Sequence, residues 1–325
     1  MLFELLKNAP IDPYLCAGAA SFLLTFLGMV LFRDRLPKDH GREFAVNGAL
    51  SKGKARGAGL ILIIALIVSS ILFIPLSAEY VIYLAALFLE MLSGYLDDAS
   101  EKPWSEVKKG LIDLAVAIAV SVTVYLYHGS TVEMPLFGLT FTIPAVLYIV
   151  LGVVLIWMSI NVTNCTDGVD GLCTSLSIVT LGAALVLLHL VKETADPMSL
   201  LVWMTVFMLL AYLWKNCSPS SMLMGDAGSR PLGVLLAMAF MISGKPFLFV
   251  PCALVLILDG GLGLFKLTVL RVTKTKDFMK SIRTPLHDHA RKNKSWSDAQ
   301  VVMRFTLLQL ALCALVIAQA AGKVL

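Results

Sequence analysis

The 325-residue sequence predicts an all-α, polytopic integral membrane protein, with about ten helices crossing the bilayer and both termini on the extracytoplasmic side. Three observations carry that prediction. Hydrophobic residues make up 58% of the chain, charged residues 15%, and the mean hydropathy is +0.85, which leaves too little polar surface to keep a soluble globule wet. The apolar residues gather in runs of roughly 17–24, the length a helix needs to cross about 30 Å of hydrocarbon. Of the 26 Lys and Arg, 22 fall in alternate loops, the bias that marks the cytoplasmic side.

The first run, 14–32, follows a nearly neutral segment and is long enough to stay as an anchor, so no cleavable signal peptide is expected. Lys52, Lys54 and Arg56 precede the second, 58–76, and the third, 78–96, ends in Gly94-Tyr-Leu-Asp-Asp98. Lys102, Lys108 and Lys109 lead into the fourth, 110–128. The fifth, 143–160, stops where Asn161-Val-Thr-Asn-Cys-Thr-Asp-Gly-Val-Asp-Gly-Leu172 begins. Carboxylates and carboxamides at that density persist at membrane depth only beside a polar cavity or water. The sixth and seventh, 174–191 and 199–214, are plain apolar runs. Asp226 opens the eighth, 228–243, as an N-cap between Gly225 and Gly228, glycines that let backbone approach a ligand.

The ninth run, 247–270, carries Asp259-Gly-Gly-Leu-Gly263 near its middle, where glycines weaken a helix and the charge demands a partner. A break is expected there, opening a side groove for a lipid tail. Before the tenth, 304–321, lies the longest cytoplasmic loop, 271–303; it is basic, and its Ser295-Trp-Ser-Asp298 segment is expected to start an interfacial helix. The whole chain, 1–325, thus reads as one transmembrane domain with no soluble domain and no internal repeat. Its cysteines lie in spans or at the reducing inner face without metal-type spacing, so free thiols are expected.

Acidic residues collect on the same face as the cations, although carboxylates contribute little to topology. Asp97, Asp98, Asp167, Asp170 and Asp226 all stand at inner ends of spans, in three separate loops. That convergence points to a site. Mg²⁺ takes hard oxygen ligands at about 2.1 Å and usually needs one or two carboxylates plus substrate phosphates, so the supply suffices. Cations for an anionic substrate lie on the same side, among them Lys52, Lys109 and Arg283 beside His287-Asp-His289. The His pair has no Cys and no third His nearby, which favours hydrogen bonding to phosphate or carboxylate over a transition metal.

These motifs, in this order, resemble the polyprenyl-phosphate N-acetylhexosamine-1-phosphate transferase superfamily. The matching marks are Gly94–Asp98, Asn161–Leu172, Met224-Gly-Asp-Ala-Gly-Ser229, Pro285-Leu-His287 and Ser295–Phe305. Thr166 before Asp167-Gly-Val-Asp-Gly171, and Pro-Leu-His followed by a Trp-containing segment, look like the phospho-N-acetylmuramoyl-pentapeptide transferase branch. The resemblance implies transfer of phospho-N-acetylmuramoyl-pentapeptide from UDP to undecaprenyl phosphate, giving lipid I and UMP. It implies catalytic roles for Asp97, Asp98, Asp226 and His287, with Mg²⁺ on Asp226. Substrate contacts fall to Lys52, Lys109, Asn161, Asn164, Asp167, Asp170, Asn216, Gly225, Arg283 and His289. It further implies a homodimer in the bacterial cytoplasmic membrane serving peptidoglycan synthesis, with membrane lipid around it and no nucleic acid as partner.

Some positions depart from the family pattern. Its Thr-Pro-Thr-Met-Gly-Gly segment is Ala55-Arg-Gly-Ala-Gly59 here, its His triplet is interrupted by Asp288, Leu223 replaces an aromatic residue, and Lys266 stands for a Gln. The neighbouring branch, which transfers N-acetylglucosamine-1-phosphate, is the first alternative. A membrane transporter is the second, and it would place its charges near the bilayer midplane instead of at one face. A non-catalytic lipid-binding protein would explain the basic loops but not three acidic motifs.

Overall fold

The computed structural model describes residues 12–39, 51–100, 104–190, 196–274 and 277–322, together with 2, 41 and 102. Residues 3–11 and 323–325, where the expected extracytoplasmic termini fall, lie outside the described residues. The helices are α1 (Pro13–Phe32), α2 (Gly59–Phe73), α3 (Ala78–Asp98), α4 (Glu106–His128), α5 (Ala145–Thr166), α6 (Leu172–His189), α7 (Pro197–Asn216), α8 (Asp226–Ile242), α9 (Phe249–Cys252), α10 (Leu254–Thr273), α11 (Leu286–Asn293) and α12 (Asp298–Ala321). Each of the ten apolar runs is helical. Seven helices are long and apolar enough to cross a membrane, and a bent pair, Pro246–Cys252 with Leu254–Thr273, makes an eighth. The other two are shorter: α2 has 15 residues, and α8 has 17 including Asp226 and Arg230.

The centre of the bundle is α8. Every residue from Ala227 to Ile242 is buried, because α2, α3, α4, α5, α6 and α7 all pack against it. A helix sheathed by other helices does not meet lipid, so it can hold an arginine and a proline that an outer span would not carry. The outer helices keep apolar side chains exposed, as at Leu23 and Leu31 of α1 and Met303 and Leu315 of α12, which is the surface a lipid-facing helix presents.

The ninth run breaks, but not at its glycines. The chain turns by 86° at Ala253, whose φ of −111° and ψ of 17° leave the helical range, six residues before Asp259. Pro251 supplies no N–H to the helix there, and the groups freed by the break find other partners. Val255 N–H donates to Gln309 Oε1 at 2.9 Å, while the Cys252 carbonyl accepts from Thr180 Oγ1 at 3.3 Å and from the Cys313 thiol at 3.2 Å. Gly260 instead serves packing, since an added Cβ would collide with the Val162 carbonyl of α5. Asp259 is fully buried within continuous α10.

Two further expectations need correction. Ser297 does not start a separate interfacial helix; it caps α12, accepting from Gln300 N–H at 3.2 Å while the Gln300 side chain accepts from Ser297 N–H at 3.1 Å. The last span therefore begins at Asp298, and Trp296 lies with the Arg304 guanidinium 4.2 Å from its ring centre. The all-α reading also omits one antiparallel hairpin, β1 (Thr131–Met134) with β2 (Leu139–Thr142), strands too short for their alternation to stand out. The hairpin is tied down where Glu133 meets buried Lys245 at 2.9 Å and donates its N–H to the Gly244 carbonyl at 2.8 Å.

Candidate active site

Four helix ends meet at one end of the bundle. Asp97 and Asp98 close α3, Lys109 lies in the first turn of α4, Asn164 in the last turn of α5, and Asp226 opens α8. Lys109 Nζ joins them: it donates to Asp97 Oδ2 at 3.1 Å and stands 3.8 Å from Asp226 Oδ2, too far for a hydrogen bond. Asp97 Oδ1 accepts from Trp104 N–H at 2.6 Å. Asn164 Nδ2 donates to Asp226 Oδ1 at 3.1 Å and to Ser229 Oγ at 3.0 Å. The α5 helix runs on to Thr166, so Asn161 and Asn164 are helical side chains one turn apart and not loop residues. Only Asn164 points at the acids; Asn161 Nδ2 donates to the Trp157 carbonyl at 2.8 Å, back along its own helix.

Asp98 is fully enclosed. Arg56 Nε donates to its Oδ1 at 2.8 Å and Ala227 N–H, in the first turn of α8, donates to its Oδ2 at 3.3 Å. Burial alone would depress the Arg56 guanidinium, but the adjacent Asp98 carboxylate overrides it and holds the group above its ordinary value. Gly225, with φ of 69°, lets the chain turn into α8 directly beneath that carboxylate, and an added Cβ would strike Asp98 Oδ2. The segment that departs from the family pattern meets this turn through its backbone. Leu223 N–H donates to the Ala55 carbonyl at 2.8 Å, and the N–H groups of Ala58 and Gly59 donate to the carbonyls of Leu223 and Met224 at 3.0 and 3.1 Å. Main-chain pairing tolerates side-chain replacement.

A second group lies alongside, in the loop after α5. Asp170 Oδ2 accepts from Ser220 N–H at 2.8 Å and from Lys54 Nζ at 3.4 Å, and Lys54 also donates to Ser220 Oγ at 3.0 Å. Lys52 is exposed two residues earlier, so the cation brought to Asp170 is Lys54. Buried Asn216 binds loop groups: its Oδ1 accepts from Gly171 N–H and Thr174 Oγ1, both at 3.0 Å, and its Nδ2 donates to the Met222 carbonyl at 3.2 Å. It thereby ties the 167–171 loop to the segment before α8. Asp167 is the C-cap of α5, in that same loop.

The third group comes from α11. His287, 2% exposed, is held by both oxygens of Asp259: its N–H donates to Oδ1 at 2.7 Å and its Nδ1 lies 2.8 Å from Oδ2. A carboxylate can only accept, so Nδ1 carries a proton, and Nε2, 3.7 Å from Asp288 Oδ1, is the nitrogen left to meet a substrate. Nε2 faces the loop after α5, where a Cβ added at Gly168 would lie 2.6 Å away. Arg291 reinforces the junction, donating to Asp288 Oδ1 at 2.7 Å, Asp298 Oδ1 at 3.2 Å and the Gly168 carbonyl at 3.4 Å. His289 Nδ1 accepts from the N–H of exposed Arg283 at 3.3 Å. Of the Arg291 partners only Asp288, three residues earlier, is local; Asp298 and Gly168 become neighbours only in the fold.

Chemically, the site presents hard oxygen donors and fixed cations at one end of the bundle, with a histidine nitrogen beside the adjoining loop. The residues fit a Mg²⁺ ion of a particular kind. Among the described residues no three His, Cys, Asp or Glu converge closely enough to cage a metal. Of the carboxylates at the four helix ends Asp226 is the most accessible, its side chain 13% exposed against 8% for Asp97 and none for Asp98, so an ion here would take one carboxylate and complete its shell from substrate phosphates.

Comparison with known proteins points the same way. The profile of glycosyl transferase family 4 matches residues 80–244. A phospho-N-acetylmuramoyl-pentapeptide-transferase from Treponema pallidum is 36% identical over 308 residues, covering 89% of this chain and 84% of its own. Proteins of the same name from Desulfotalea psychrophila and Clostridium acetobutylicum are 27% and 25% identical, each over at least 89% of both chains.

Proposed function

The chain belongs to glycosyl transferase family 4, and we propose that it transfers phospho-N-acetylmuramoyl-pentapeptide from its UDP carrier to undecaprenyl phosphate, forming lipid I and releasing UMP. The observation that carries this reading is the meeting of Asp97, Asp98, Lys109, Asn164 and Asp226 from four helix ends. Phosphoryl transfer asks little covalent chemistry of a protein and much positioning and charge neutralisation. When bound at Asp226, Mg²⁺ supplies neutralisation of charge on the donor diphosphate. Lys109, placed between Asp97 and Asp226, adds fixed positive charge where the phosphoryl group moves. Asp97 orients the lipid phosphate for direct attack on the donor, whereas Asp98, enclosed behind it, is moved from the catalytic role expected of it to holding Arg56 and the first turn of α8, and His287 offers Nε2 on the sugar-peptide side. The α11 segment between α10 and α12 covers that part of the donor. Beyond the bend at Ala253, α10 carries Leu258 and Phe265 exposed, an apolar face suited to the prenyl tail.

Donor choice tests the reading. Purified protein with Mg²⁺ and undecaprenyl phosphate should release UMP from UDP-N-acetylmuramoyl-pentapeptide far faster than from UDP-N-acetylglucosamine. The reverse preference would assign the chain to the other branch, and no UMP from either donor would remove the transferase reading.

The reaction also demands that the site face the cytosol of a bacterial inner membrane, where the nucleotide is made. Single cysteines placed at Ser51 and Ser295, in a protein lacking its native cysteines, should therefore resist an impermeant maleimide in intact cells and react after permeabilisation. Labelling of either from outside would invert the topology.

A further inference from the structure

Three charged residues lie deeper in the bundle than the acids and lysine of the site. Glu90 on α3, Asp113 on α4 and Arg230 on α8 are 0%, 4% and 2% exposed. Arg230 Nε donates to Asp113 Oδ1 at 3.1 Å, and Nη2 donates to the same oxygen and to the Lys109 carbonyl at 3.3 Å. Nη2 also lies 3.4 Å from Glu90 Oε2.

Their positions along the helices are regular. Arg230 is four residues after Asp226, Asp113 four after Lys109, and Glu90 seven before Asp97. Residues four apart share a helix face, about 6 Å apart along the axis, so Arg230 and Asp113 form the next rung below Asp226 and Lys109. Seven residues are two turns, which puts Glu90 on the α3 face that carries Asp97. A buried ion pair is weak evidence for stability, because desolvation offsets most of the attraction, and its best-attested use is to specify register. A planar guanidinium that engages a carboxylate and a backbone carbonyl of one helix while facing a carboxylate of another restricts both rotation and sliding.

We infer that Arg230 is a positioning residue, whose contacts with Asp113, Glu90 and the Lys109 carbonyl set the register of the three helices that carry Asp97, Lys109 and Asp226. The inference rests on the assignment of those residues to the transferase site. Its action is indirect: Lys109 Nζ stays 3.1 Å from Asp97 because the turn that bears it is anchored from α8.

Arg230→Lys keeps the charge and removes the fork. The variant is expected to fold, to release UMP on the order of tenfold or more slowly with KM for donor and lipid within about twofold, and to expose Lys109, since small misplacements of reacting groups cost rate before binding. Acylation of Lys109 by acetic anhydride, followed by mass spectrometry, should be several-fold faster than in the parent protein. Asp113→Asn, which leaves one acceptor for Arg230, should move both quantities the same way and serves if Arg230→Lys does not fold. A folded variant with unchanged Lys109 reactivity overturns the inference, whether or not its rate falls. A parent protein that releases no UMP overturns the transferase reading instead, and the labelling ratio still decides the positioning role.

Discussion

Asp226→Asn is expected to slow UMP release by roughly 10²–10³-fold while leaving the protein folded, the scale seen when one preorganised electrostatic contact to a transition state is lost. The carboxamide is nearly isosteric and can still accept the bond from Asn164 Nδ2 through its oxygen. Losing the negative charge at the start of α8 costs about 0.3–1 kcal/mol of helix-dipole interaction, far less than the catalytic loss. Lys109 keeps its hydrogen bond to Asp97. What disappears is the anionic oxygen available to a hard cation. The parent protein should accordingly be stabilised against heat by Mg²⁺ in the presence of donor, and the variant should not. Normal turnover in Asp226→Asn, or an equal Mg²⁺ stabilisation, would remove the metal from this carboxylate.

The elements that were legible in the sequence are those decided by local chemistry. Apolar runs had to be helices, because a run of roughly 17–24 residues is too long for a membrane strand and satisfies its own backbone groups only as a helix, and helices stand at each of them. Helix ends are less legible, because polar residues mark either an exit from the bundle or a partner inside it. In α5 the residues from Asn161 to Thr166 remain helical because their polar side chains find partners inside: Asn164 with Asp226 and Ser229, and Thr166 with the carbonyls of Val162 and Leu256. The glycines after Asp259 looked like a weak point and proved to be a close contact with α5, a distinction that depends on the neighbour and not on the run itself. At Ser297 the signal was present, since a serine followed three residues later by glutamine is the pattern of a capping box.

In the site, the residue types were legible and the pairings were not. Asp98 with Arg56 spans 42 positions, Asp170 with Lys54 spans 116, and neither local spacing nor charge counting selects Lys54 over Lys52. Glu90, Asp113 and Arg230 each break an apolar helix, which is costly alone, and their complementary signs become informative only when the three helices are known to touch.

His287→Ala is the second change with a large expected effect, and the structure alters how it must be read. Loss of the imidazole should raise the barrier by about 2–4 kcal/mol if Nε2, protonated, donates to developing negative charge on the diphosphate. The same change leaves buried Asp259 with only the residue-287 N–H of its two partners there, and removing one partner of a buried charge costs on the order of 3–5 kcal/mol of stability. The single variant is therefore expected to lose both turnover and thermal stability, and its rate alone would not separate the two losses. Adding Asp259→Leu removes the stranded charge. The double variant should recover most of the melting temperature, because an apolar side chain suits the interior of α10, but it should stay as slow as the single variant, because no imidazole has been returned to the loop at Gly168. Measured per mole of folded protein, a double variant that regained near-parental UMP release would show that His287 serves only to neutralise Asp259, and the role of Nε2 at the donor would fall with it.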